Sequence, residues 1–228
     1  AAKQLSSKLN PFILRRLKKE VAKELPEKTE QILYVELSDE QRTLYESRRE
    51  YFEKVISKEL EGQKGKEGLG NAGFVVLQGL TELRQLASCP ESKTDGQIQS
   101  SKWDVLISGL TELAENGHKC LVFTNFISCI ESISQQLEEN GIEHLVMTGA
   151  TNNRSEIVKK FKTDSRYKVF LMTLKTGGVG LNLTEADYVY IIEPWWNTSA
   201  GQQAIDRTHR IGQTKNVFCY KKKKKNTI

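Results

Sequence analysis

Residues 119–123 read KCLVF, one lysine followed by four apolar side chains with no polar residue among them. A strand with one wet face would alternate, so an unbroken run of this length suits a strand buried on both faces. The same texture returns at EHLVM (143–147), KVFLM (168–172), YVYII (188–192) and NVFCY (216–220). Between these runs lie segments of helical period at 127–140, 153–163 and 199–210. Short buried strands alternating with helices predict an α/β domain over 102–228, a three-layer parallel sheet with helices on both faces.

Upstream the pattern changes. FILRRLKKEVAKEL (12–25) reads as a basic helix stopped by Pro26, and QILYVEL (31–37) as a strand. SDEQ (38–41) has the form of a capping box, with Ser38 accepting from the Gln41 amide while Gln41 reaches back. A helix to about Leu60, a Gly- and Lys-rich loop at 61–73 and a second helix at 74–87 follow, and SCPESKTDGQIQSS (88–101) reads as a linker. The expected organisation is therefore a leading segment at 1–37, a helical protrusion with its linker at 38–101 and the sheet domain at 102–228.

With 38% apolar and 28% charged residues in 228, the composition is that of a globular protein with a real core. No apolar run reaches eighteen residues and AAKQLSSKLN lacks a signal-peptide core, so neither a membrane partner nor export is expected. The net charge of +5 comes from KKKKK (221–225); without those lysines, basic and acidic residues balance at 29 each. Nucleic-acid binding would have to come from local patches. Cys89, Cys120, Cys129 and Cys219 stand at no metal-ligand spacing and read as reduced thiols of an intracellular protein.

In parallel sheets, ligands gather at the carboxyl ends of the strands. TLKTGGVGLNLT (173–184) follows one such end. Gly177, Gly178 and Gly180 let backbone amides approach a phosphate, and Thr173, Lys175 and Thr176 add hydroxyls and a charge. The spacing G-G-x-G is not the dinucleotide fingerprint, and a tight strand-to-helix turn is the competing reading. VFTNF (122–126) ends another strand with Thr124 and Asn125, groups able to grip a phosphodiester. In GATNNR (149–154), Gly149, Thr151 and the helix-opening Arg154 suggest an anion-binding helix N-terminus. Together the three strand ends suggest a groove that tracks a nucleic-acid backbone.

EPWWN (193–197) offers two tryptophans on opposite sides of an extended segment, one for the core and one for the surface. In QAIDRTHRIGQ (203–213), Arg207 and Arg210 are three residues apart and would leave a helix on one face, with Gln203 and Asp206 one turn back. Two such forks suit the bidentate geometry of a triphosphate. His209 reads as a structural hydrogen-bonder. There is no G-x-x-x-x-G-K-[ST], since GQKGKEG ends in Glu, and no acidic pair after an apolar strand to hold Mg²⁺. The arginines would serve a nucleotide held by another domain.

These residues resemble the second RecA-like lobe of the Swi/Snf family of DNA-dependent ATPases, in helicase superfamily two. KCLVFTNF resembles motif IV, GATNNR the phosphate-contacting motif after it, TLKTGGVGLNLTEAD motif V, EPWWN the tryptophan motif and QQAIDRTHRIGQ motif VI. The segment FILRRLKKEVAKELPEK resembles the exit from the first lobe, and LTELRQLASCP the helical protrusion, with Cys89 where the family usually has His. The resemblance implies a RecA-like fold with an N-terminal helical protrusion, and Arg207 and Arg210 as arginine fingers on the γ-phosphate of ATP. The ATP, with Mg²⁺, would be bound mainly by the first lobe of the same protein.

By the same resemblance Gly178, Gly180, Gln203 and Asp206 lie at the ATP interface, and Thr124, Asn125, Gly149, Thr151, Arg154, Thr173 and Lys175 contact DNA, with Trp196 coupling the two sites. The implied partners are double-stranded DNA, the first lobe and DNA-bound proteins; the implied place is a bacterial cytoplasm, on the nucleoid, or a nucleus. The chain departs from the family at Thr198, Gly201 and, above all, YKKKKKNTI (220–228), where the family has an apolar strand. Lys222–Lys224 buried in a strand would face a severe desolvation cost, so a frayed edge, an altered stretch of sequence or a misassigned run of residues is expected there rather than a DNA-binding tail. A further helix is expected after it, which makes the chain a fragment. The leading reading is half a DNA-translocating motor. The others are a binding module with the same fold and no turnover, and a strand-separating helicase, for which no wedge element is identified.

Overall fold

The computed structural model describes residues 22, 24–62, 70–177, 180–194, 198–224 and 227. Most of the helix expected at 12–25 and much of the loop expected at 61–73 lie outside them. Six strands, β1 (Lys28–Val35), β2 (Cys120–Thr124), β3 (His144–Met147), β4 (Val169–Thr173), β5 (Tyr188–Ile191) and β6 (Val217–Lys224), form one sheet in the order β1-β6-β5-β2-β4-β3. Every pairing is parallel. The unbroken apolar runs have the cause inferred from them: β2 and β4 are buried at every residue.

Helices cover both faces. On one, α3 (Lys102–Glu115) and α4 (Ile127–Glu139) pack Leu106, Leu110, Ile130 and Ile133 against Cys120, Val122, Val169 and Leu171. On the other, α5 (Arg154–Thr163), the single turn α6 (Leu174–Gly177) and α7 (Thr198–Ile205) bring Phe161, Leu174, Ala204 and Ile205 onto Leu121, Phe123, Phe170, Val189 and Val217. Alternate residues of one strand thus feed two cores, as the period of two requires. This is the RecA-like three-layer arrangement.

The protrusion is a pair of helices, α1 (Asp39–Gly62) and α2 (Gly70–Ser88), with Tyr45, Leu83 and Leu86 buried where they meet and Arg48 Nε 2.6 Å from Glu82 Oε1. The Gln41 amide donates to Ser38 Oγ at 3.2 Å, one bond of the expected capping box, and the Gln41 side chain also donates across the hairpin to Leu86 O at 2.8 Å. Leaving that buried carbonyl unpaired would be costly.

Three expectations change. The strand near 31–37 lies at 28–35 and is the outer strand of this sheet, so part of the leading segment belongs structurally with the domain that follows. The segment 88–101 is docked rather than a free linker: it holds a 3₁₀ turn (Pro90–Lys93), Cys89 and Glu91 are buried, and Glu91 accepts from Trp103 Nε1. The lysine run is not a frayed edge. Lys221 lies opposite Ile191 of β5, Lys221–Lys224 lie opposite Ile32–Val35 of β1, and Lys222 is fully buried. Lys221 is paired on both sides and Lys222–Lys224 on the β1 side, and this pairing holds the backbone in the strand whatever the side chains prefer. Among the described residues no helix is long and apolar enough to cross a membrane.

Candidate functional site

All six strands point the same way, so Thr124, Met147, Thr173 and Ile191 end at one edge of the sheet. The ends of β2 and β5 are joined there by a residue that the sequence reading passed over. Beyond the last register pair, Phe123 with Ile191, the Ile192 amide donates to Phe123 O at 2.9 Å. Side chains then continue the ladder. Glu193 Oε2 accepts from the Asn125 amide at 2.9 Å and from Thr124 Oγ1 at 2.8 Å, while Asn125 Nδ2 donates back to Glu193 O at 2.9 Å. Cys129 Sγ–H donates to Glu193 Oε1 at 3.3 Å. Glu193 is buried, and its carboxylate gathers three donors, from the end of β2, the residue after it and the first turn of α4.

Positive charge lies close by. Lys102, at the start of α3, is buried and donates to Ile192 O at 2.9 Å and Ser88 Oγ at 3.3 Å. Burial pushes its pKa down and the Glu193 carboxylate opposes that shift. The pKa of Arg84, on α2, is lowered by burial in the same way, again against Glu193. Its guanidinium carbon sits 5.5 Å from the centre of the Phe126 ring, just past Asn125. Cys89 lies beside Ser132, with Sγ and Oγ 3.5 Å apart. A hydrogen bond with Cys129 is the chief influence lowering its pKa, and burial pushes Cys129 well up.

At the other two strand ends the predicted groups mostly bond within their own loops. Arg154 Nε and Nη2 donate to Thr151 O and Gly149 O, each at 3.0 Å, and Thr151 Oγ1 accepts from the Thr148 amide at 3.0 Å. The guanidinium braces the β3–α5 loop, and Gly149 is exposed beside it. Thr173 is buried, with its hydroxyl 2.7 Å from that of Thr176. Lys175 is exposed and has no ion-pair partner among the described residues. Thr124 and Thr173 therefore present no hydroxyl to a ligand in this arrangement, whereas Asn125, Gly149, Arg154 and Lys175 reach the surface. Gly177 is buried for a packing reason, since a Cβ there would collide with the Phe123 ring. Gly180 differs: it is exposed, with φ +44° and open space around it.

The arginine segment lies at the opposite edge. After α6 the chain crosses to the start of β5, and there the Leu183 amide donates to Arg207 O at 3.0 Å. Gln213 pins the same place from the other side. Its Nε2 donates to Ala186 O at 2.8 Å and Thr208 O at 3.2 Å, and its Oε1 accepts from the amides of Thr214 and Lys215. His209 Nε2 donates to Pro26 O at 2.9 Å, the structural role expected of it.

One premise needs correcting. α7 ends at Ile205, not at 210, because the amides of Thr208 and His209 and the Thr208 hydroxyl all converge on Ile205 O. Arg207 and Arg210 therefore lie on a turn, so helical spacing does not put them on one face. Arg207 is half-buried and Arg210 exposed; Gln203 is exposed on α7, and Asp206 Oδ1 accepts from Gln202 Nε2 at 3.2 Å.

Gly178 and Trp196 lie outside the described residues. Among those described, no group of three or more His, Cys, Asp or Glu converges to hold a metal ion, and all four cysteines are buried and free. The sequence reading missed Glu193, Lys102 and Gln213. A carboxylate directly after an apolar strand was the available signal for Glu193; nothing local marks Lys102.

Two family profiles match the chain. The SNF2-related domain covers residues 1–92 and the Helicase conserved C-terminal domain covers 101–212. An uncharacterized ATP-dependent helicase of Mycoplasma genitalium is 37% identical over 99% of the chain, and the transcription regulatory protein SNF2 of Saccharomyces cerevisiae is 32% identical over 94%. The chain spans about a fifth of the Mycoplasma protein (21%) and 13% of the yeast one. Among solved structures, the Sulfolobus solfataricus SWI2/SNF2 ATPase core in complex with dsDNA superposes with TM-score 0.72 at 29% identity, over 97% of this chain and 47% of that one. The C-terminal domain of the same ATPase shares the fold, with TM-score 0.69 at 24% identity over 88% of this chain and 81% of that one.

Proposed function

This chain belongs to the Swi/Snf family and carries its helicase C-terminal domain, and from that premise we propose that it is the second motor lobe of a DNA-stimulated ATPase. In this reading the parent protein translocates on double-stranded DNA and remodels protein–DNA complexes. The observation that carries it is the turn at 206–213, fixed by Gln213, His209 and the Leu183–Arg207 bond while the Arg210 side chain stays exposed. A guanidinium on a rigid, otherwise bonded turn is preorganised to meet phosphate arriving from a facing domain.

Arg210, with Arg207 beside it, acts as the arginine finger for ATP held in the first lobe. The accompanying Mg²⁺ would be held by that first lobe, where it would offset negative charge on the phosphates. Asn125, Gly149, Arg154 and Lys175 face the DNA backbone at the opposite edge. The stretch between Thr173 and Tyr188 runs from one edge to the other, so nucleotide-driven movement at the turn has a covalent and hydrogen-bonded route to the DNA contacts. The dsDNA complex of the Sulfolobus relative supports the nucleic-acid half of this reading.

The test is ATP hydrolysis by the full-length protein, with and without duplex DNA, in the natural sequence and with Arg210→Ala. A DNA-stimulated rate that falls by roughly 10³ or more in the variant is expected, about 4 kcal/mol of barrier. A natural protein whose hydrolysis ignores DNA would overturn the motor reading, and one that hydrolyses no ATP with or without DNA would leave a binding module.

A further inference from the structure

The carboxylate of Glu193 is buried and accepts three hydrogen bonds, so its part is inside the fold rather than at the surface. Thr124 at the end of β2, Asn125 just after it and Cys129 in the first turn of α4 donate to it, while Lys102 of α3 donates to the adjacent Ile192 O and, like Arg84 of α2, feels its charge. Its reciprocal bonds with Asn125, Oε2 accepting from the amide and Nδ2 donating to the Glu193 carbonyl, fix both the backbone and the side-chain amide of that residue. Lys102 holds the preceding carbonyl, Ile192 O, and reaches Ser88 Oγ at the end of α2.

We propose that Glu193, backed by Lys102, is a positioning residue that sets the backbone at 124–125 on the DNA-facing edge and ties it to the helical protrusion. The proposal rests on the reading of that edge as DNA-facing. Oε2 accepts from an amide and a hydroxyl, and Oε1 from a thiol, so an acceptor at this place is what keeps the Asn125 loop in one conformation. Glutamine keeps a carbonyl acceptor in the same volume; leucine keeps the volume and no acceptor. A displaced loop weakens DNA engagement without touching the arginine turn at the other edge.

The experiment uses the full-length protein and records ATP hydrolysis against duplex DNA concentration, separating the half-saturating DNA from the maximal rate and from the DNA-free rate. Glu193→Leu is expected to raise the half-saturating DNA about tenfold with the DNA-free rate unchanged, and Glu193→Gln to bring it back to within about threefold of the natural protein. Lys102→Met, which puts an apolar chain of similar length in a buried place and tests the clamp if Glu193→Leu does not fold, is expected to raise it about threefold. Unmoved half-saturation in Glu193→Leu or Lys102→Met, or equal shifts in the Leu and Gln variants, would overturn the proposal. Failure of the motor reading shows separately, as a natural protein without DNA stimulation.

Discussion

Lys102 and Lys222 are both buried against the same face of the sheet, with 2% and 0% of their surfaces exposed, and the chain treats them in opposite ways. Lys102 has a carbonyl at 2.9 Å, a hydroxyl at 3.3 Å and the Glu193 carboxylate in its field. Lys222 has no hydrogen-bond partner among the described residues, and the Tyr190 ring, 5.5 Å away, is its nearest compensation. Burial, with the charge of Lys102 adding to it, pushes the Lys222 ammonium down to about 7. The pair teaches that burial alone does not decide what a charge contributes. The acceptors around it do.

The largest expected effect follows at once. Lys222→Leu places an apolar side chain at a fully buried strand position paired with Leu33 of β1, and is expected to stabilise the fold by about 3–5 kcal/mol at pH 6, from a shift of the size given above. The sign with pH is fixed. Below about 7, Lys222 is charged in both folded and unfolded chains and the penalty is complete. Between about 7 and the ordinary lysine value of 10.5, the unfolded chain holds a proton that the folded one lacks, so the natural chain gains stability as pH rises, by about 1.4 kcal/mol per pH unit at most. Urea unfolding of both chains across pH 6–10 reads the difference. A variant no more stable than the natural chain would break the contrast between the two lysines.

The same contrast marks what the sequence could and could not convey. The parallel sheet was legible because β2, β4 and β5 are apolar at almost every residue, and that pattern has one economical solution. Placing Asn125 just past the strand end at Thr124 needed only the end of the run VFTNF. By contrast, β6 was legible as a strand only to Tyr220, because hydrophobic pattern is the signal and the lysines erase it. Pairing on both sides is a long-range fact that no local window carries. α3 does carry a local signal, since Trp103, Leu106, Ile107 and Leu110 stand at helical spacing. Glu193 and Lys102 are ninety-one residues apart in sequence and meet only through the fold. The arginine pair was legible as chemistry but not as geometry, because convergent donors on Ile205 O end α7 early.

Lys102→Met sharpens the comparison from the other side. It removes a buried charge, which alone would help, but leaves Ile192 O and Ser88 Oγ without their donor and Glu193 with less positive field. These losses outweigh the relief, and a net destabilisation of about 1–3 kcal/mol is expected in the same urea measurement. The two lysine variants therefore move in opposite directions, although both place an apolar chain where an ammonium was. A gain in stability from Lys102→Met would mean that its acceptors contribute less than the desolvation they offset.

The smallest effect belongs to the neighbour of Lys222. Lys221 alternates to the other side of β6, where its ammonium lies 2.6 Å from Glu30 Oε2 on β1, and Lys28 lies 2.6 Å from the other oxygen of the same carboxylate. Partial burial works to raise the Glu30 pKa, but hydrogen bonds from Lys221 and Lys28 outweigh it and leave the value lowered. Glu30 keeps Lys28 when Lys221 is lost, and both partners remain partly in water, so Lys221→Met is expected to cost no more than about 1 kcal/mol. Because solvent screens an exposed pair, the difference should shrink further between 0.05 and 1 M NaCl, where the Debye length falls from roughly 14 Å to about 3 Å. Lys222→Leu should keep its full effect over the same range, since no salt reaches a side chain with no exposed surface. Adjacent lysines in one strand would then separate by salt alone, one a screened surface charge and the other a desolvated one; equal salt dependence would place both at the surface and undo the burial of Lys222.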